Sequence, residues 1–347
     1  MATASPTRVV IADDSAMMRQ IVSSTLSRAG VDVVGAAANG DDALVLCERE
    51  RPDALMLDLA MPGLDGIGVL KALQQPGRPS MPVVVVSAFS PSQGARAVDA
   101  LAEGAFDLVA KPAIGEGLET FAKLLVEKVR LAAASKGRRP SRNGATAAPP
   151  PPAQAPRRSG VAKAVVIATS TGGPRALADL VPRLPSPLGI GTLIVQHMPA
   201  GFTASLAARL DRASKLHVRE AAGGEPLDPR TALLAPGGKH LRVGADGKTR
   251  LSDEPEIGNL RPRADLTIAD AAGFYRDRTL LVVLTGMGND GLDGARAVHR
   301  LGGRILVQSS DSCTVYGMPR AVNDARLADD VLSLADLADA IAQEAGA

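Results

Sequence analysis

Three hundred and forty-seven residues exceed one typical domain, and 46% hydrophobic with 22% charged residues can bury a sizeable core, so wholesale disorder is excluded. A net charge of +2 and 2% aromatic content, with no Trp, argue against a dedicated nucleic-acid surface or a base-stacking platform. Cys47 and Cys313 form no CxxC pair and the longest apolar runs are strand-sized, which argues against a disulfide framework, a structural zinc site and membrane insertion; a cytoplasmic protein is expected.

In chain order, β-branched runs recur at Arg8–Ala12, Val31–Gly35, Ala54–Leu57, Pro82–Val86 and Asp107–Ala110. Apolar residues at helical spacing separate them: Met18, Ile21, Val22, Thr25, Leu26 and Ala29 mark one face, and Leu118, Phe121, Ala122, Leu125 and Val129 another. Strands without alternation, divided by helices, predict a parallel sheet covered on both faces, hence a (βα)5 unit of the α/β class. Chemistry collects at the carboxyl ends of such strands. There stand Asp13-Asp14, Asp58, Ser87 and Lys111-Pro112. Three carboxylates on one edge repel unless a hard cation sits between them, and oxygen-only ligation suits Mg²⁺. A hydroxyl and an ammonium beside them are what an incoming phosphoryl group requires.

Asp13-Asp14, Leu57-Asp58-Leu-Ala-Met-Pro-Gly-Leu-Asp-Gly66, Val86-Ser87-Ala88 and Lys111-Pro112 resemble a two-component response-regulator receiver domain over residues 8–131. The resemblance implies that Asp58 accepts phosphate from a histidine-kinase phosphodonor. It further implies that Asp13, Asp14, Asp58 and the Ala60 carbonyl hold Mg²⁺, with Ser87 and Lys111 on the phosphoryl oxygens. One departure is Leu108, at a position often aromatic in receivers.

Residues 132–163 carry seven basic and no acidic side chains around the tract Pro149–Pro152, and almost nothing large and apolar. Such a segment cannot offset its own ordering entropy, so a solvated tether is expected.

Strand–helix alternation resumes over residues 164–347, with strands at Ala164–Ala168, Thr192–Val195, Leu280–Leu284 and Arg304–Val307, and a helix at Phe202–Leu210. The Gly- and Pro-rich stretch Glu220–Leu260 suggests a small hairpin region, and Ser333-Leu-Ala-Asp336 a capped start to a last helix burying Leu334, Leu337, Ala338 and Ile341. The first strand runs into Thr169-Ser170-Thr171-Gly172-Gly173-Pro174, the second into Gln196-His197, and the third into Thr285-Gly286-Met287-Gly288-Asn289-Asp290-Gly291. Singly, Ser170 reads as a helix cap and His197 as an ordinary strand-end residue. Together, a hydroxyl, an imidazole and a carboxylate on three strand ends can converge: the imidazole takes the hydroxyl proton, the acid fixes the imidazole tautomer, and backbone N–H groups of the Gly-rich turns form an oxyanion hole. A competing reading takes Gly286-x-Gly288-x-x-Gly291, with Asp311 beyond it, as a dinucleotide fingerprint.

The motifs Ala168-Thr-Ser170-Thr-Gly-Gly173, Gln196-His197-Met-Pro-Ala-Gly-Phe-Thr203, Ala235-Pro-Gly-Gly-Lys-His240, Thr285-Gly-Met-Gly-Asn-Asp290-Gly291 and Gly317-Met-Pro-Arg320 resemble the chemotaxis protein-glutamate methylesterase and glutamine deamidase family, CheB. The resemblance implies Ser170 as nucleophile, His197 as general base and Asp290 as its orienter, with Thr171 and Met287 supporting the oxyanion. It implies methyl-accepting chemoreceptors as substrate and no cofactor in the catalytic domain. The chain departs from the family's usual pattern at Ala168-Thr169 and at Arg263, the residue after Pro in Arg261-Pro-Arg-Ala-Asp265. The rival reading from another class is a non-catalytic phospho-switch whose second domain binds a partner or dinucleotide.

Overall fold

The computed structural model describes residues 6–79, 81–88, 91–112, 118–136 and 162–346; the tether expected at 132–163 lies largely outside them. The chain divides into two compact units, Met1–Arg139 and Pro140–Ala347.

The first unit alternates β1 (Arg8–Ala12), α1 (Ala16–Arg28), β2 (Asp32–Ala37), α2 (Gly40–Glu50), β3 (Ala54–Leu57), α3 (Gly66–Leu73), β4 (Val83–Ser87), α4 (Pro91–Ala102), β5 (Asp107–Ala110) and α5 (Leu118–Ala134). Its parallel sheet has the order β2-β1-β3-β4-β5. The chain leaves β1 for β2 on one side and returns to β3 on the other, so β1 and β3 flank the crevice where doubly wound sheets carry their sites. β3 and β4 are buried along their whole length, which is why their apolar runs do not alternate.

The second unit contains β6 (Ala164–Thr169), α6 (Gly173–Leu180), β7 (Gly191–Gln196), α7 (Phe202–Ala213), β8 (His217–Glu220), β9 (Thr231–Leu234), β10 (His240–Val243), β11 (Thr249–Ser252), α8 (Ala264–Tyr275), β12 (Thr279–Val283), α9 (Leu292–Arg300), β13 (Arg304–Gln308), α10 (Met318–Asp324), β14 (Asp330–Leu332) and α11 (Leu334–Ala345). Seven parallel strands take the order β14-β13-β12-β6-β7-β9-β8, and β10 and β11 form a separate antiparallel hairpin inside the Gly- and Pro-rich stretch. The central strand β6 pairs with β12 on one side and β7 on the other. The core joins β6, β7, β12 and β13 to α8, including Val166, Leu193, Ile268, Ala272, Leu281 and Val307. Each of the Val, Leu and Ile side chains among them contributes about 1.5–3 kcal/mol on removal from water, before entropy is charged against it. α11 starts at Ser333, whose Oγ accepts the Asp336 N–H at 3.3 Å, as the capping pattern predicts. Among the described residues no helix is long and apolar enough to cross a membrane.

Candidate active site

In the first unit the expected acidic cluster forms. Asp13, Asp14 and Asp58 each place a carboxylate oxygen within 4.8 Å of the others; Asp13 and Asp58 are buried and Asp14 is exposed. Ser15 caps α1 by accepting the Met18 N–H, so Asp14 is not consumed as a cap. Arg19 holds the loop by donating from Nη1 to the carbonyls of Asp13 and Asp14, at 2.7 and 3.0 Å. Lys111 Nζ lies 2.8 Å from Asp13 Oδ2 and 2.7 Å from Asp58 Oδ2. Burial disfavours the ammonium, but the hydrogen bonds and charges of the two carboxylates outweigh it and raise the Lys111 pKa. Burial pushes Asp13 up, and Lys111 offsets this only in part. A single ammonium against three carboxylates leaves excess negative charge, and an all-oxygen donor set fits a hard divalent cation. Ser87 is buried at the end of β4, and its carbonyl accepts the Lys111 N–H at 2.8 Å. Ala60 lies in the loop leaving β3. Leu108 is buried within β5.

In the second unit Ser170, His197 and Asp290 follow three adjacent strands, β6, β7 and β12. Ser170 is fixed through its backbone: its N–H donates to Thr285 O at 3.0 Å, and its carbonyl accepts from Gly173 N at 2.8 Å and Gln196 Nε2 at 2.9 Å. Gly172 makes the turn with φ +77°, a left-handed conformation that favours glycine. Gly286 lets the β12 loop approach, since a β-carbon there would lie 2.9 Å from Ser170 Cβ and 2.4 Å from Met318 Sδ. His197 Nε2 meets Asp290 Oδ2 at 2.7 Å, with both side chains at least nine-tenths buried. That contact leaves Nδ1 as the ring nitrogen available to a hydroxyl. Ser170 Oγ makes no hydrogen bond among the described residues, and catalytic hydrogen bonds are commonly loose before substrate binds.

Asp290 receives unusual support. Besides His197, Oδ2 accepts the Ala264 N–H at 2.7 Å. Oδ1 accepts the N–H groups of Asp265 and Gly291 and lies 2.9 Å from Arg263 Nε. Burial alone would raise its pKa; the hydrogen bond and charge of His197, then the Ala264 and Asp265 amides, hold it well below the usual carboxylate range. Of the expected oxyanion residues, Thr171 follows Ser170 directly and is fully buried, with its carbonyl accepting from Thr285 Oγ1 at 2.9 Å, and half-buried Met287 follows Gly286.

Sequence reasoning overlooked Gln196, which donates to both Ser170 O and His197 O, although its place directly before His197 was a signal. It also gave no role to Arg263 and Asp265, or to His240, which is fully buried with Nδ1 accepting the Arg263 N–H at 3.1 Å. The dinucleotide reading loses its anion site. The N–H groups of Gly291 and Gly294, which open α9, both donate to Asp265 Oδ1 at 2.9 Å, so a pyrophosphate would meet a carboxylate there.

Comparison with known proteins finds the CheB methylesterase family over residues 165–341 and the response regulator receiver domain over residues 9–122. The protein-glutamate methylesterase/protein-glutamine glutaminase of Symbiobacterium thermophilum is 39% identical over 355 residues, covering 98% of each chain. One from Myxococcus xanthus, number 5 of that name, is 43% identical over 340 residues and covers 95% of each. The crystal structure of the Thermotoga maritima CheB methylesterase catalytic domain is similar at 43% identity with a TM-score of 0.51, spanning 52% of this chain and 97% of that one.

Proposed function

The chain belongs to the CheB methylesterase family with a receiver ahead of its hydrolase unit, and we propose that it hydrolyses glutamate γ-methyl esters on methyl-accepting chemoreceptors and deamidates receptor glutamines, under control of phosphorylation at Asp58. It is an enzyme of the methylesterase/glutaminase kind. In this reading residues 8–131 are the receiver, 132–163 the tether and 164–347 the catalytic domain. The observation that carries it is the buried 2.7 Å contact of His197 Nε2 with Asp290, on strand ends either side of Ser170.

His197 Nδ1 takes the Ser170 Oγ proton as the oxygen attacks the γ-carbonyl, while Asp290 fixes the ring and stabilises the imidazolium. Charge developing on the carbonyl oxygen is met by backbone N–H groups at Thr171 and Met287. As the tetrahedral intermediate collapses, His197 returns the proton to the ester oxygen, which leaves as methanol, or to the amide nitrogen, which leaves as ammonia when the substrate is a glutamine. Water, deprotonated by the same imidazole, then releases glutamate from the acyl-enzyme.

In the receiver, Asp13, Asp14, Asp58 and the Ala60 carbonyl would hold Mg²⁺, which when bound neutralises charge on a transferring phosphoryl group. Asp58 accepts that group from a histidine-kinase donor, and Ser87 and Lys111 contact its oxygens. Phosphorylation relieves inhibition imposed by the receiver. Methanol release from methylated receptor, with and without a small-molecule phosphodonor and Mg²⁺, tests both parts. Release that rises with donor is expected, and its absence in both conditions overturns the hydrolase reading. Deleting residues 1–131 should raise the basal rate; a truncated protein no faster than the full chain contradicts inhibition by the receiver.

A further inference from the structure

The acid facing His197 does not stand alone. Arg263, in the loop before α8, lies with Nε 2.9 Å from Asp290 Oδ1 and Nη2 2.7 Å from Asp265 Oδ2. One planar guanidinium therefore bridges two carboxylates, and the side-chain exposures of Arg263, Asp265 and Asp290 are 16%, 12% and 1%. The carboxylates also share a donor, because the Gly291 N–H reaches both Asp265 Oδ1 and Asp290 Oδ1 at 2.9 Å. Two like charges this close repel one another, and the guanidinium between them offsets that repulsion. His240 helps to aim the cation: its Nδ1 accepts the Arg263 N–H, and its Nε2 donates to Pro255 O at 3.2 Å.

The charged and titratable groups around His197 can be taken element by element. Asp290 faces it from the loop after β12, with Arg263 and Asp265 behind from the start of α8, and His240 of β10 behind Arg263. Arg261 is turned away, toward the carbonyls of Asp253 and Glu254. Ser170 after β6 and Gln196 at the end of β7 bring polar groups without charge.

We propose that Arg263 and Asp265 are a charge-balanced positioning pair for the catalytic acid, Arg263 aiming the Asp290 carboxylate and cancelling the second negative charge so that His197 faces one net anion. The inference rests on the Ser170–His197–Asp290 reading. Asp265 behaves as a strained member of such a pair: burial and then the Asp290 charge push its pKa up, against the Gly294 amide and Arg263. Arg263 and Asp265 carry opposite charges and both lie behind the carboxylate that faces His197, so their loss must act on the imidazole in opposite senses.

The test is the pH dependence of kcat/KM for methanol release from methylated receptor by the full chain, in Arg263→Gln, Asp265→Asn, the double variant and Asp290→Asn. Losing the cation stabilises the imidazolium, so Arg263→Gln should move the acidic limb up by about one pH unit. Asp265→Asn should move it down by about as much, and the double variant should lie near the parent. Arg263→Lys keeps the charge without the fork; it should leave the limb in place and lower kcat, a readout that survives if Arg263→Gln fails to fold. Limbs that shift in one direction, or not at all, while Asp290→Asn is inactive overturn this proposal and leave the triad standing. An active Asp290→Asn protein overturns the triad itself.

Discussion

Replacing Asp290 by Asn keeps the shape of the side chain and exchanges one acceptor oxygen for an NH₂ group. The structure dictates which. Oδ1 faces three donors, the Asp265 and Gly291 amides and Arg263 Nε, whereas Oδ2 faces two, His197 Nε2 and the Ala264 amide. The new NH₂ is least costly at the Oδ2 position, where it donates to His197 Nε2. That forces the ring proton onto Nδ1, the nitrogen that must be unprotonated to accept from Ser170. A triad with its imidazole in the wrong tautomer loses about 10⁴ in kcat, or about 5.5 kcal/mol of transition-state stabilisation. The clash with the Ala264 amide adds about 1–3 kcal/mol of lost folding stability, so urea unfolding should be followed alongside methanol release. A folded Asn variant with kcat within tenfold of the parent would refute the claim that Asp290 sets the tautomer.

Gln196→Leu removes the donor that ties Ser170 O and His197 O together, and kcat should fall on the order of 10²-fold with KM little changed, read from steady-state kinetics. Chelation with EDTA should abolish the response to a phosphodonor while leaving the unphosphorylated esterase rate intact, because the acidic cluster lies in the receiver. Glu225 supplies a pH prediction. Burial works to raise its pKa, but hydrogen bonds from Thr249 Oγ1, the Ala222 amide and Arg219 outweigh this and bring it from 4.5 to about 2. With the folded value below the unfolded one, its stabilisation is full above the unfolded pKa of 4.5 and is lost as pH falls toward about 2. Thermal melts of Glu225→Gln should therefore differ most from the parent above that window and converge below it.

The central strands were legible in the sequence because a strand buried on both faces has no polar alternation, as Val83–Val86 and Leu280–Val283 show. Their ends hold the hydroxyl, imidazole and carboxylate side chains, so Asp58, Ser170, His197 and Asp290 could be picked out as candidates before any contact was known. The sheet's edges were harder to read. β8 is the polar run His-Val-Arg-Glu and β14 only three residues long, and each owes its conformation to a neighbour, β9 or β13. Arg263 and Asp265 escaped for a related reason. Their partners, Asp290 and the amides that open α9, lie 25 to 29 residues further along the chain, beyond the reach of helical or strand periodicity. His240 gave no local sign of accepting an amide 23 residues away.

The most direct test of the hydrolytic assignment is kcat for methanol release from methylated receptor by folded Ser170→Ala protein. The account predicts a loss on the order of 10⁶-fold, since removing the nucleophile disables the whole triad. Release at the parent rate would contradict it.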